Sequence, residues 1–144
     1  TVRNTLSLHD ALPICRTASG ERFAHGELAM RTRIERDGRP IWLERGVVHG
    51  GGGLLAAAPG LQGQPVSASL LVASPRCDEA LRDAWRALAP TAGEGAVSLL
   101  PGVLVARWLG PACEPGRQWF ARLWAAARPA VAGRAAHTPR IWNT

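Results

Sequence analysis

The sequence predicts a mainly β fold that carries two α-helices in its C-terminal half. Three observations lead there. Residues 28–35 alternate, with Met30, Thr32 and Ile34 on one side and Arg31, Arg33 and Glu35 on the other, the period-two pattern of a half-buried strand. The other apolar runs in the first two thirds are short and bounded by Gly and Pro, which punctuate strands. Only residues 78–89 and 114–128 switch to helical spacing.

Taken in order, the strand at 28–35 runs into Arg36-Asp37-Gly38-Arg39-Pro40, where Asp-Gly supplies the positive φ angles of a tight hairpin turn. Ile41 to His49 is the expected return strand, with Glu44 and Arg45 expected to pair across to the charged face of the first. Gly50 to Gly53 reads as a flexible connector, because the lysine and hydroxyl of a phosphate loop do not follow it. Residues 65–73 form a strand. Over 78–89, Leu81, Ala84, Trp85 and Leu88 share one helix face, and Asp78 and Glu79 suit its positive N-terminal end. Two short strands, 96–100 and 103–109, flank the turn dipeptide Pro101-Gly102. Pro115 suits the first turn of the second helix, whose apolar stripe is Trp119, Phe120, Leu123, Trp124 and Ala127, and Pro129 is expected to end or kink it. The two tryptophans on that stripe read first as core and second as a docking face. Trp142, in the aperiodic tail 138–144, is expected to be tied down by packing.

A chain of 144 residues suggests one domain, large enough to bury roughly two thirds of its unfolded surface. With 47% hydrophobic residues it is not a disordered tail. It has no apolar run long enough for a membrane span and no signal-peptide pattern, so a cytoplasmic protein without a membrane partner is expected. The net charge is +6 and every basic residue is arginine. Arginine forks suit phosphates, so an arginine-rich nucleic-acid-binding module is the alternative reading. The arginines are scattered, however, as at Arg36, Arg82 and Arg134, and a GC-rich genome explains them more simply. Cys15, Cys77 and Cys113 make no CxxC pair or disulfide framework.

No catalytic constellation emerges. His25, His49 and His137 lack HExxH spacing, no GxSxG elbow is present, and Glu21, Glu44 and Glu94 stand singly. A non-enzymatic protein is expected.

The ten residues Thr5 to Ile14, TLSLHDALPI, resemble the translation of a common sequencing-library adapter. Residues 1–15 are therefore read as a non-native leader, and 16–144 as part of a longer natural protein.

Several blocks downstream, in order, carry a family resemblance: Ala18-Ser19-Gly20-Glu21-Arg22-Phe23; Arg31-Thr32-Arg33-Ile34; Asp37 to Arg45; Leu61-Gln62-Gly63-Gln64-Pro65-Val66; Leu100 to Gly110; and Pro139 to Thr144. Over residues 16–144 the chain resembles the C-terminal part of the single domain of the UreD urease accessory proteins. The resemblance implies a right-handed helical arrangement of strands with two helices, truncated at its N-terminus. It also implies a scaffold that binds urease apoprotein and, through UreF, the GTPase UreG, so that nickel reaches the urease active site. Nickel would be handled in transit rather than retained, which favours oxygen and nitrogen donors, and Glu21, His25 and Glu44 are those in the matching hairpin region. Arg31, Arg33, Arg45 and Arg107, with Trp119 and Trp124, are the candidates for a partner interface. Strands parted from an absent half would have open edges, and a non-functional truncated fragment is the remaining expectation.

Overall fold

Asp37 and Gly38 adopt φ angles of 52° and 75°, and this turn folds β2 (Glu27–Arg36) back on β3 (Arg39–His49) as an antiparallel hairpin. The computed structural model describes residues 6–9, 19–135 and 137. Besides the hairpin it contains β1 (Leu6–His9), β4 (Val66–Ala73), α1 (Glu79–Arg86), β5 (Glu94–Leu100), β6 (Val103–Gly110) and α2 (Cys113–Ala132). The second sheet is antiparallel, in the order β1-β4-β6-β5. The predicted class, mainly β with two helices in the C-terminal half, is the observed one, and neither sheet closes into a barrel.

Alternation sets the layers. Leu70 and Val72 of β4, with Leu104, Ala106 and Trp108 of β6, face the helices and meet Trp85, Trp119, Phe120, Leu123 and Ala127 in the main core. The intervening residues Leu71, Ala73, Val103 and Val105 face the other way and pack against Ile34, Ile41 and Trp42 of the hairpin. A sheet covered on both faces reads as a nearly continuous apolar run, as VSASLLVA of β4 does.

Bare backbone makes room for the indoles. A Cβ at Gly116 would lie 2.7 Å from Cε3 of Trp108, one at Gly93 would lie 2.8 Å from Cε2, and one at Gly110 would overlap the ring. Trp108 is thus wedged between three glycines, and its Nε1 donates to the Ala92 carbonyl at 3.0 Å. Gly95 does the same for Trp119, its added Cβ falling 2.7 Å from Cη2, while Trp119 Nε1 donates to Leu88.

Several boundaries differ from the sequence reading. α1 is capped by Asp78, whose Oδ1 accepts from Leu81 N at 2.8 Å, but it ends at Arg86 rather than Ala89. Pro129 neither ends nor replaces the last turn of α2, which runs on to Ala132 and closes at Gly133 with φ 63°. Proline removes one helical donor and crowds the carbonyl four residues back, yet the helix continues past it and buries Val131. The glycine run is a tight crossing rather than a slack connector. Gly50 N donates to Gly26 O and Gly51 N to Phe23 O, each at 2.8 Å, and a Cβ at Gly50 would lie 2.5 Å from His25 N. Met30, expected on the inner side, is 48% exposed. Trp142 lies outside the described residues. Among those residues no helix is long and apolar enough to cross a membrane.

Gly116→Ala separates two effects. Helix propensity alone makes it stabilising by about 1 kcal/mol, whereas overpacking against Trp108 costs about 1–3 kcal/mol. Urea denaturation should show a net loss of stability; a gain would mean that the ring is not wedged.

Candidate partner interface

The hairpin register sorts its charged residues onto two faces. Thr32 faces Glu44 and Ile34 faces Trp42, on the side turned toward the larger sheet. Arg31 faces Arg45 and Arg33 faces Leu43 on the outer side. The expected pairing of Glu44 and Arg45 with the charged face of the first strand therefore does not form. Successive side chains point to opposite faces, so Glu44 turns inward and Arg45 meets another arginine.

Glu44 finds its partner on the other sheet. Arg107 Nη2 donates to Glu44 Oε1 at 2.7 Å, and its guanidinium carbon lies 6.0 Å from the centre of the Trp42 ring, within reach of a cation–π attraction. Arg36 adds a second tie, its Nη2 donating to the Gly102 carbonyl at 3.4 Å. Trp42 Nε1 is buried and makes no hydrogen bond among the described residues.

The outer face is left uncovered. Leu43 and Val47 are 56% and 48% exposed, between Arg31, Arg33 and Arg45. Arg33 is held by Glu35, but Arg31 and Arg45 stand opposite each other and make no ion pair among the described residues. Like charges directly opposed across a ladder destabilise it. Elsewhere much of the basic charge is used internally. Arg117 and Gln118 hold Glu114, at 2.6 and 2.9 Å, keeping its carboxyl below the usual range, with Gln118 the larger cause. Arg82 binds Asp83 and Glu79, and Arg122 donates to the Ala89 carbonyl.

The proposed metal donors are dispersed. Glu21 is half-buried before the hairpin, exposed His25 stacks its backbone on Gly50, and Glu44 is engaged by Arg107. Among the described residues no three or more His, Cys, Asp or Glu gather to hold a metal ion. His49 Nδ1 lies 3.6 Å from Glu27 Oε2 across the ladder, a pair the sequence reading did not single out, although the hairpin register places them opposite. Burial pushes the Cys77 thiol up, and its Sγ donates to the Val72 carbonyl. Trp119 and Trp124 belong to the core, at 1% and 9% exposure, so the plainer of their two readings describes this chain.

A family model described as UreD urease accessory protein matches residues 4–143. The chain belongs to the UreD family. It is 61% identical over 129 residues to the urease accessory protein UreD of an Azoarcus species, covering 90% of this chain and 45% of that relative. With the UreD of Nitrosococcus oceani the identity is 44% over 135 residues, or 94% of the chain and 45% of the relative. With that of Pseudomonas fluorescens it is 48% over 136 residues, or 94% and 48%. The chain thus spans about half the length of the UreD relatives it matches.

The Arg107–Glu44 pair has half-exposed partners, at 57% and 33% for the side chains, and such pairs contribute about 0.2–1 kcal/mol. A double-mutant cycle with Glu44→Gln and Arg107→Met should return a coupling in that range by chemical denaturation. A coupling above about 2 kcal/mol would place the pair in a desolvated setting.

Proposed function

We propose that this chain is part of a urease maturation factor of the cytoplasm, a non-catalytic scaffold on which urease apoprotein meets UreF and, through it, UreG, so that nickel is delivered as cargo. Membership of the UreD family is the observation that carries this reading. The hairpin's outer face is a suitable contact surface. Among the described residues Arg31 and Arg45 oppose each other without a carboxylate, beside exposed Leu43 and Val47. An acidic group from a partner would relieve that repulsion and cover the aliphatic side chains. In the same reading Glu21, His25 and Glu44 serve singly as transient nickel stops, since dispersed oxygen and nitrogen donors release a metal more readily than a complete ligand set.

The test is co-expression of the tagged chain with urease apoprotein and UreF, followed by affinity capture and measurement of urease nickel. Capture of both partners is expected. Arg31→Glu with Arg45→Glu should weaken it by about tenfold, with the larger deficit at low salt. Failure to retain either partner would remove the proposal, as would capture without any rise in nickel. Salt-sensitive retention on DNA in place of urease would favour the arginine-rich nucleic-acid reading.

A further inference from the structure

Both faces of the four-stranded sheet carry other elements, the helices on one and the hairpin on the other. Its β5 edge is occupied as well. There α1 packs alongside, and Arg86 Nε and Nη2 donate to the Val97 carbonyl at 3.2 and 3.0 Å. The hairpin differs, with one face sealed and the other exposed along its length. On the exposed face Ala29 stands opposite Val47, Arg31 opposite Arg45 and Arg33 opposite Leu43. Uncompensated charge is confined to the middle. Glu27 lies beside His49 at one end, and Glu35 holds Arg33 toward the other. Between them the side chains of Arg31 and Arg45 have no ion-pair partner among the described residues.

We infer, resting on the reading of this face as the partner contact, that it seats a partner α-helix whose docked side carries one carboxylate with an aliphatic residue a turn before it and a turn after. The width of the ribbon favours a helix. Its strands are about 5 Å apart, so one helix, about 10 Å across, covers both, whereas a second sheet would overhang the two edges. The spacing agrees. Successive outward pairs lie about 7 Å apart along the strands, close to the rise of about 6 Å over four helical residues. A carboxylate between Arg31 and Arg45 is met by two forked donors. The neighbouring turns then fall over Val47 with Ala29 and over Leu43, and the short side chain of Ala29 leaves room for a bulky aliphatic. Charge decides between a protein and a nucleic acid. Phosphates repeat along a whole nucleic-acid strand and would meet Glu27 and Glu35 at the ends, while a single acid matches the central pair.

The test is fluorescence anisotropy of the whole chain with a labelled helical peptide of about 20 residues, long enough to hold a helix in water. The peptide carries leucine, glutamate and leucine four residues apart on one face. A counterpart with lysine in place of the glutamate should bind about tenfold more weakly at low salt, and the gap should narrow as salt rises. Arg31→Glu with Arg45→Glu should reverse the preference, and Leu43→Ala should weaken the acidic peptide about fivefold. A central proline in that peptide, which breaks its helix, should abolish binding. Equal binding of the two peptides, binding of neither, full binding of the proline peptide, an unchanged preference in the double variant, or tighter binding of a DNA duplex would each overturn the inference. Should the double variant fail to fold, the two peptides on the unsubstituted chain decide. Capture of urease apoprotein and UreF alongside such a result would sink the helix and leave the scaffold reading in place.

Discussion

The fit of Trp108 among glycines is the constraint on which the rest depends. One indole on β6 touches bare backbone from the loop before β5, from the end of β6 and from the first turn of α2. Close packing transmits any change of volume, so these contacts fix the distance between sheet and helix. The same closeness lets Leu123 and Trp119 reach the sheet and be fully covered. Trp108 also spends its one donor on Ala92, which pins the approach to β5. Two other core indoles, Trp85 and Trp124, leave Nε1 without a hydrogen bond among the described residues. Position is thus more firmly specified around Trp108 than around its neighbours.

The opposite face of the sheet depends on a lighter set of contacts. Ile34, Ile41 and Trp42 seal the hairpin against it, and the Arg107–Glu44 and Arg36–Gly102 links lie around that seal. A two-stranded ribbon alone is marginal in water; this one is fixed by apolar contact on one side only. Its other side keeps arginines and aliphatic residues in the open, the face on which the proposed partner contact rests.

What the sequence disclosed follows from range. The hairpin was legible because Asp37-Gly38 and the alternation around it are local signals, and the start of α1 was legible because Asp78 and Glu79 put negative charge at its positive end; that Asp78 caps the helix came from the structure. The extent of α2 was not, since the cost of Pro129 is local while the burial of Val131 beyond it is tertiary. Nor was the role of the glycines: Gly93, Gly110 and Gly116 share a purpose only through a ring that none of them adjoins in sequence except Gly110. For the candidate interface, the alternation put Arg31 and Arg33 on one face correctly. The partner of Glu44 lies 63 residues away, and no spacing rule connects them.

The occupied β5 edge of the larger sheet bears on how such chains cluster. Fibril growth requires every molecule to offer a strand at both ends, so that each addition recreates a place for the next. Here α1 and Arg86 obstruct one end of that sheet. A neighbour that docked at the other end would present the same blocked end outward, and stacking through this sheet would terminate at a pair.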